Sequence, residues 1–211
     1  MSYIPKDAVT QSFKSNKGVL TPNQIIELDN ENKFTKYGQL ELIQTQTYSS
    51  TVSEINFTSI KQNIYKVHFM TFNNMKTAGD NQETLGIRFM VGGVVQTSSN
   101  YERAFQRVSS DSSLFSGSQS TGDSQFRIVY GTGTASGESS SGYAYFYELG
   151  DSTMFSHMTT HVTSMTSDAK FAGAYGSAKY DVANEVNGIQ VRKNSGDYSD
   201  FSVSLYGIRY S

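Results

Sequence analysis

The sequence predicts an all-β protein, a sandwich or a Greek-key barrel, on three observations. From Leu40 to the carboxyl end, apolar residues recur at every second position, the period of a half-buried strand. Gly, Ser, Asn and Asp clusters punctuate these runs at short intervals, as in stacked antiparallel sheets. Hydrophobic residues at 36% and charged residues at 17% lie below the globular average, yet 14 Tyr, 13 Phe and a net charge of -2 exclude the signature of a disordered chain.

Met1–Leu20 follows neither period and reads as an extended arm. Thr21-Pro22-Asn23-Gln24 then reads as a helix start, with Thr21 as N-cap, Pro22 at the first helical position and Gln24 closing a capping box. Ile25, Ile26 and Leu28 supply an apolar side, so a short helix is expected near 22–31. Two domains follow: residues 1–38 as arm and helix, and residues 39–211 as the β-domain. So apolar-poor an arm buries no core alone and must lie on its own domain or on a neighbour.

Strands are expected near 40–48 and 52–58, and then where Tyr65, Val67, Phe69 and Thr71 alternate as the inward set against Lys66, His68 and Met70. Leu85, Ile87, Phe89 and Val91 form the next inward set, alternating with Gly86, Arg88 and Met90. Further strands are placed near 101–108, at Phe126, Ile128 and Tyr130, and near 142–149, 154–164 and 187–192. Phe201, Val203 and Leu205 open the last strand, with Gly207 read as a bulge that switches its register. The Ser/Gly/Thr-rich stretches of 109–142 read as long surface loops, of the kind that form recognition surfaces on rigid scaffolds.

Several chemistries are disfavoured. No basic stripe is present to neutralise phosphates, so nucleic acid is not an expected partner. Without cysteine there is no disulfide, thiolate metal site or thiol nucleophile. No run approaches 18 apolar residues, so no membrane insertion is expected, and synthesis is placed in a cytoplasm. His157 and His161 are four apart, but MFSHMTTHVTSM reads as a strand, on which they would stand about 13 Å apart, too far for one metal ion. No nucleophile elbow is present, and the Gly-rich 131–137 stretch lacks the lysine of a phosphate loop. Glu138, Glu148, Asp123 and Asp151 are carboxylates of the kind a glycosidase pairs, at a spacing expected by chance. No catalytic residue, metal or cofactor is assigned, and the chain is read as non-enzymatic. Tyr143, Tyr145 and Tyr147 share one strand face, and three readings stay open for them: sheet packing, a subunit interface, or stacking on sugar rings.

The stretches YGQLELIQTQT (37–47), INFTSI (55–60), YKVHFMTFNNM (65–75), LGIRFMVGG (85–93), SSNY (98–101), YAYFYEL (143–149), NGIQVR (187–192) and FSVSLYGIRY (201–210) resemble, as an ordered set, tail-fibre-like virion structural proteins of tailed phages. The opening MSYIPKDAV resembles the start of the same proteins. The resemblance implies an antiparallel β-sandwich of jelly-roll type, displayed on the virion, with other virion proteins as partners and a homo-oligomer, a trimer by preference. Tyr3, Ile4, Pro5, Ile25, Ile26 and Leu28 become the expected assembly residues, and Tyr143, Tyr145 and Tyr147 the expected contact surface, with a host-surface glycan as candidate ligand. Long tail fibres carry shaft repeats and this chain has none, so a capsid decoration protein remains an alternative, and the Tyr face and the loops keep a glycan-binding module as another.

Overall fold

The structure, a computed structural model, describes residues 21–31, 40–79, 85–111, 115–128, 131–193 and 196–208. Helix α1 (Pro22–Asn30) belongs to a unit of its own, Met1–Gln39 with Tyr210–Ser211. Its start is the expected capping box: the Thr21 amide donates to Gln24 Oε1 at 2.9 Å, and the Gln24 amide donates back to Thr21 Oγ1 at 3.4 Å. Ile25 and Ile26 are exposed and Leu28 is half-buried. Tyr3, Ile4 and Pro5 lie outside the described residues.

The second unit, Leu40–Arg209, consists of two antiparallel sheets. Strand β1 (Leu40–Tyr48) opens the large sheet, β2 (Glu54–Phe57) crosses to the small one, β3 (Val67–Thr77) returns, and β4 (Gly86–Val91) crosses again. Gly92 and Gly93, both at positive φ, turn β4 into β5 (Val94–Val95), as a two-residue hairpin loop requires. Strands β6 (Tyr101–Ser109) and β7 (Phe115–Asp123) join the large sheet, and β8 (Phe126–Arg127) pairs with β4. Then β9 (Ser140–Tyr147), β10 (Ser156–Met165) and β11 (Phe171–Tyr180) extend the large sheet, β12 (Gly188–Arg192) returns to the small one, and β13 (Tyr198–Ile208) closes the large one.

The large sheet runs β1-β13-β3-β9-β10-β11-β6-β7. The small sheet runs β2-β12-β4, with β5 and β8 sharing the far edge of β4. Without the inserted strands β5–β7 and β10–β11, two four-stranded sheets remain: β1-β13-β3-β9 and β2-β12-β4-β8. That is the strand order of an eight-stranded jelly roll.

The core lies between the sheets. Ile55, Phe57, Ile87, Phe89, Ile189 and Val191 meet it from the small sheet. Met70, Phe72, Phe146, Met158, Val203 and Leu205 meet it from the large one. Full burial of each such side chain contributes about 1.5–3 kcal/mol. Phe89, Tyr101, Phe126 and Tyr180 form an aromatic centre, with Tyr101 edge-on to Phe126 at 4.8 Å. The Tyr101 hydroxyl is satisfied inside: it accepts from the Phe89 amide at 3.0 Å and donates to the Gln96 carbonyl at 2.9 Å.

Five expectations need correction. The inward set around β3 holds only in part: Tyr65 and Val67 are buried as expected, but beyond them Met70, Phe72 and Met75 face the core and Phe69 and Thr71 face out. Both faces of this strand carry apolar residues, so the alternation did not specify the face. His68 is tolerated inside because its Nε2 lies 2.8 Å from the Ile60 carbonyl. Met90, expected outside, is buried, its sulfur against the bare backbone of Gly188. Gly207 marks no bulge: its pairings to Glu41 and His68 are in register, and the irregularity lies in β1 between Leu42 and Gln44. Gly207 is needed instead because a Cβ there would meet the Tyr65 ring at 2.3 Å. The 109–142 region is not all surface loop: it contains β7, and Thr132 and Glu138 are buried. Finally, the strand placed over Phe126, Ile128 and Tyr130 is only the two-residue β8, with Phe126 and Ile128 buried and Tyr130 outside the described residues. The Ala/Gly-rich β11 was not foreseen.

Candidate functional site

The outer face of the large sheet is where the chemistry-bearing side chains gather. Strand alternation sends Ala144 and Phe146 into the core and leaves Tyr143, Tyr145 and Tyr147 outside, with Tyr143 exposed and the other two half-buried. Cross-strand register then sets their neighbours. Tyr206, Phe69, Tyr145 and Thr159 form one row across β13, β3, β9 and β10, continued by Ser177, Ala104 and Gln119 on β11, β6 and β7. The row beside it runs Thr71, Tyr143, His161, Tyr175 and Gln106.

Half of this face is an aromatic bank. Phe69 sits among Tyr145 at 4.7 Å, Tyr143 at 5.9 Å and Tyr206 at 6.0 Å, all inclined to it by 35–44°. His161 lies edge-on between Tyr143 and Tyr175 at 6.1 Å from each. Offset rings of this kind support one another while keeping one side toward solvent. Alternation in the sequence places Phe69 in the core and gives no signal for Tyr206, so neither is legible there as part of the bank.

The other half is a trough of about 610 Å³ between β9 and β7. Large side chains give way to Thr159, Ser177 and Ala104, and the surface dips before rising again at Gln119. His157 and Tyr147 stand at its aromatic rim, where the Tyr147 hydroxyl lies 3.2 Å from Thr159 Oγ1. Both of its cations are held by carboxylates. Lys179 bonds Asp181 at 2.8 Å and Glu102 at 3.3 Å, and Arg103 bonds Asp123 at 2.5 Å. The hydrogen bond to Asp181, then that to Glu102, holds the Lys179 ammonium above its ordinary range.

His157 and His161 do project from one face of strand β10, and among the described residues no group of three His, Cys, Asp or Glu could hold a metal ion. Of the carboxylates singled out from the sequence, Glu148 and Asp151 line one depression beside Gln62–Lys66, away from the trough, and Asp123 and Glu138 lie elsewhere. Asp123 is held by Arg103, and Glu138 is tucked over Gly133, accepting from the Ala135 amide at 2.8 Å. Asp151 accepts from the Thr153 hydroxyl and amide, which hold its carboxyl below the usual range.

No protein-family model matches the chain, and no curated protein matches it. Among solved structures it is similar to an exo-inulinase from Aspergillus awamori, with a TM-score of 0.41 and 10% identity. The likeness covers 80% of this chain, which spans 29% of that protein's length. That neighbour is an enzyme, so the reading of this chain as non-enzymatic is withdrawn. At this identity and score the likeness carries no activity over to it.

Proposed function

We propose that this chain is a virion protein of a tailed phage, displayed in the tail or fibre apparatus, with the outer face of its large sheet turned toward the host. The supporting observation is the aromatic bank around Phe69, held outward on a jelly-roll frame. Rings gathered on a solvent-facing sheet cost free energy that a core position would not, and such patches are where partners bind. In this reading the exposed Ile25 and Ile26 of α1 meet other virion proteins, copies of the chain assemble about the threefold axis of an appendage, and a host-surface glycan is the outward ligand.

Gold-labelled antibody against this chain, applied to intact particles, is expected to mark the tail or its fibres. Uniform labelling of the capsid would replace this reading with a decoration role, and particles without the chain would refute both.

A further inference from the structure

The trough is lined by hydrogen-bonding side chains that no other protein group takes up. Among the described residues, the side chains of Gln119, Thr121, His157 and Ser177 have no hydrogen-bond partner, and all four line the trough. They come from three strands, and register aims them from one sheet face at a common volume: His157 and Ser177 from adjacent β10 and β11, and Gln119 and Thr121 from β7. Ala104, between Ser177 and Gln119, is too small to fill the gap and leaves the floor open. Neighbouring strands are about 4.8 Å apart, so β9 and β7, which carry the two rims, lie roughly 19 Å apart.

Three properties define what fits. One rim is aromatic, at Tyr147, and takes a C–H-rich face. The floor and far rim offer an amide, an imidazole and hydroxyls, groups that both donate and accept. Both cations, Lys179 and Arg103, are held by carboxylates of their own chain, so the trough has no free cation for an anionic ligand. A ligand with apolar ring faces, many hydroxyls and no charge meets all three. We infer that this trough is a binding site for a neutral oligosaccharide. The inference deepens the display reading and rests on it for the source of the sugar, the host surface.

The full chain is applied to an array of neutral oligosaccharides, with sialylated and sulfated ones as anionic controls, and the strongest neutral ligand is then titrated. Neutral sugars are expected to bind. Gln119→Ala, which removes amide hydrogen bonds, and Ser177→Phe, which fills the floor, should each weaken binding about tenfold or more with unchanged melting temperature. Thr163→Ala, on the same sheet face outside the trough, should bind as the parent does. Because the chain has three histidines, the imidazole C–H signals also locate the ligand without any substitution. Those of His157 should shift on adding the sugar, while those of buried His68 stay fixed. Silence on the neutral array, binding of anionic sugars alone, or a ligand that leaves the His157 signals unmoved would overturn the site. None of these outcomes depends on where antibody labels the particle, so the site and the display reading can fail separately.

Discussion

His68 has no solvent exposure. The Ile60 carbonyl 2.8 Å from Nε2 can only accept, so the proton sits on Nε2, and buried Nδ1 has no partner. Burial therefore pushes its pKa below the ordinary 6.5, the Ile60 contact opposing only in part. The unfolded chain takes up this proton near pH 6.5 while the native chain resists it, so stability is full above that pH and falls as the solution is acidified toward the lower folded pKa. The loss is at most about 1.4 kcal/mol per pH unit. Urea unfolding at pH 7 and pH 5 should show a larger drop for the parent than for His68→Gln, whose amide still donates to Ile60. Equal drops would place the acid sensitivity elsewhere. A histidine in a strand pattern is ordinarily read as solvent-facing, which is why alternation alone turned β3 the wrong way beyond Val67.

At the scale of elements, strands with one apolar face and a distinct polar one were legible. The capping box of α1, the span of β1, the presence of β2 and the core positions of β13 follow from residue type and period alone. Strands β7 and β11 were not legible, because FSGSQSTGD and FAGAYGSAKY show no contrast between faces. They are strands because β6 lies between them and pairs with both. The candidate site divides the same way. The tyrosines of β9 could be read from alternation, whereas Gln119, Ser177 and Ala104 meet only through the order of strands. Strand β11 depends on close approach: a Cβ at Gly176 would lie 2.3 Å from the Ala104 carbonyl oxygen and 2.4 Å from the Phe105 ring. Gly176→Ala should therefore cost about 1–3 kcal/mol through overpacking. Gly117→Ala, with open space around it on β7, should change stability by less than about 0.5 kcal/mol. Denaturant midpoints compare them, and similar values would mean that the two strands do not crowd at Gly176.

Across the whole β-domain, the frame and the contact surface have different origins. The eight frame strands supply most of the core, while the trough is built largely from the inserted strands β6, β7, β10 and β11. Among the described residues, β13 alone lies between β1 and β3 and pairs with both. Removing residues 198–211 should leave β1 unpaired and the Phe201, Val203 and Leu205 part of the core empty. Such a chain is expected to lose its cooperative thermal transition, and a retained sharp melt by circular dichroism would contradict this topology. The same pairing sets Leu40 directly opposite Ile208, so the domain's two extremities lie about one strand spacing apart. A body with such neighbouring extremities needs only a single surface loop of any larger chain to hold it, and a short covalent join between them would leave its sheets undisturbed.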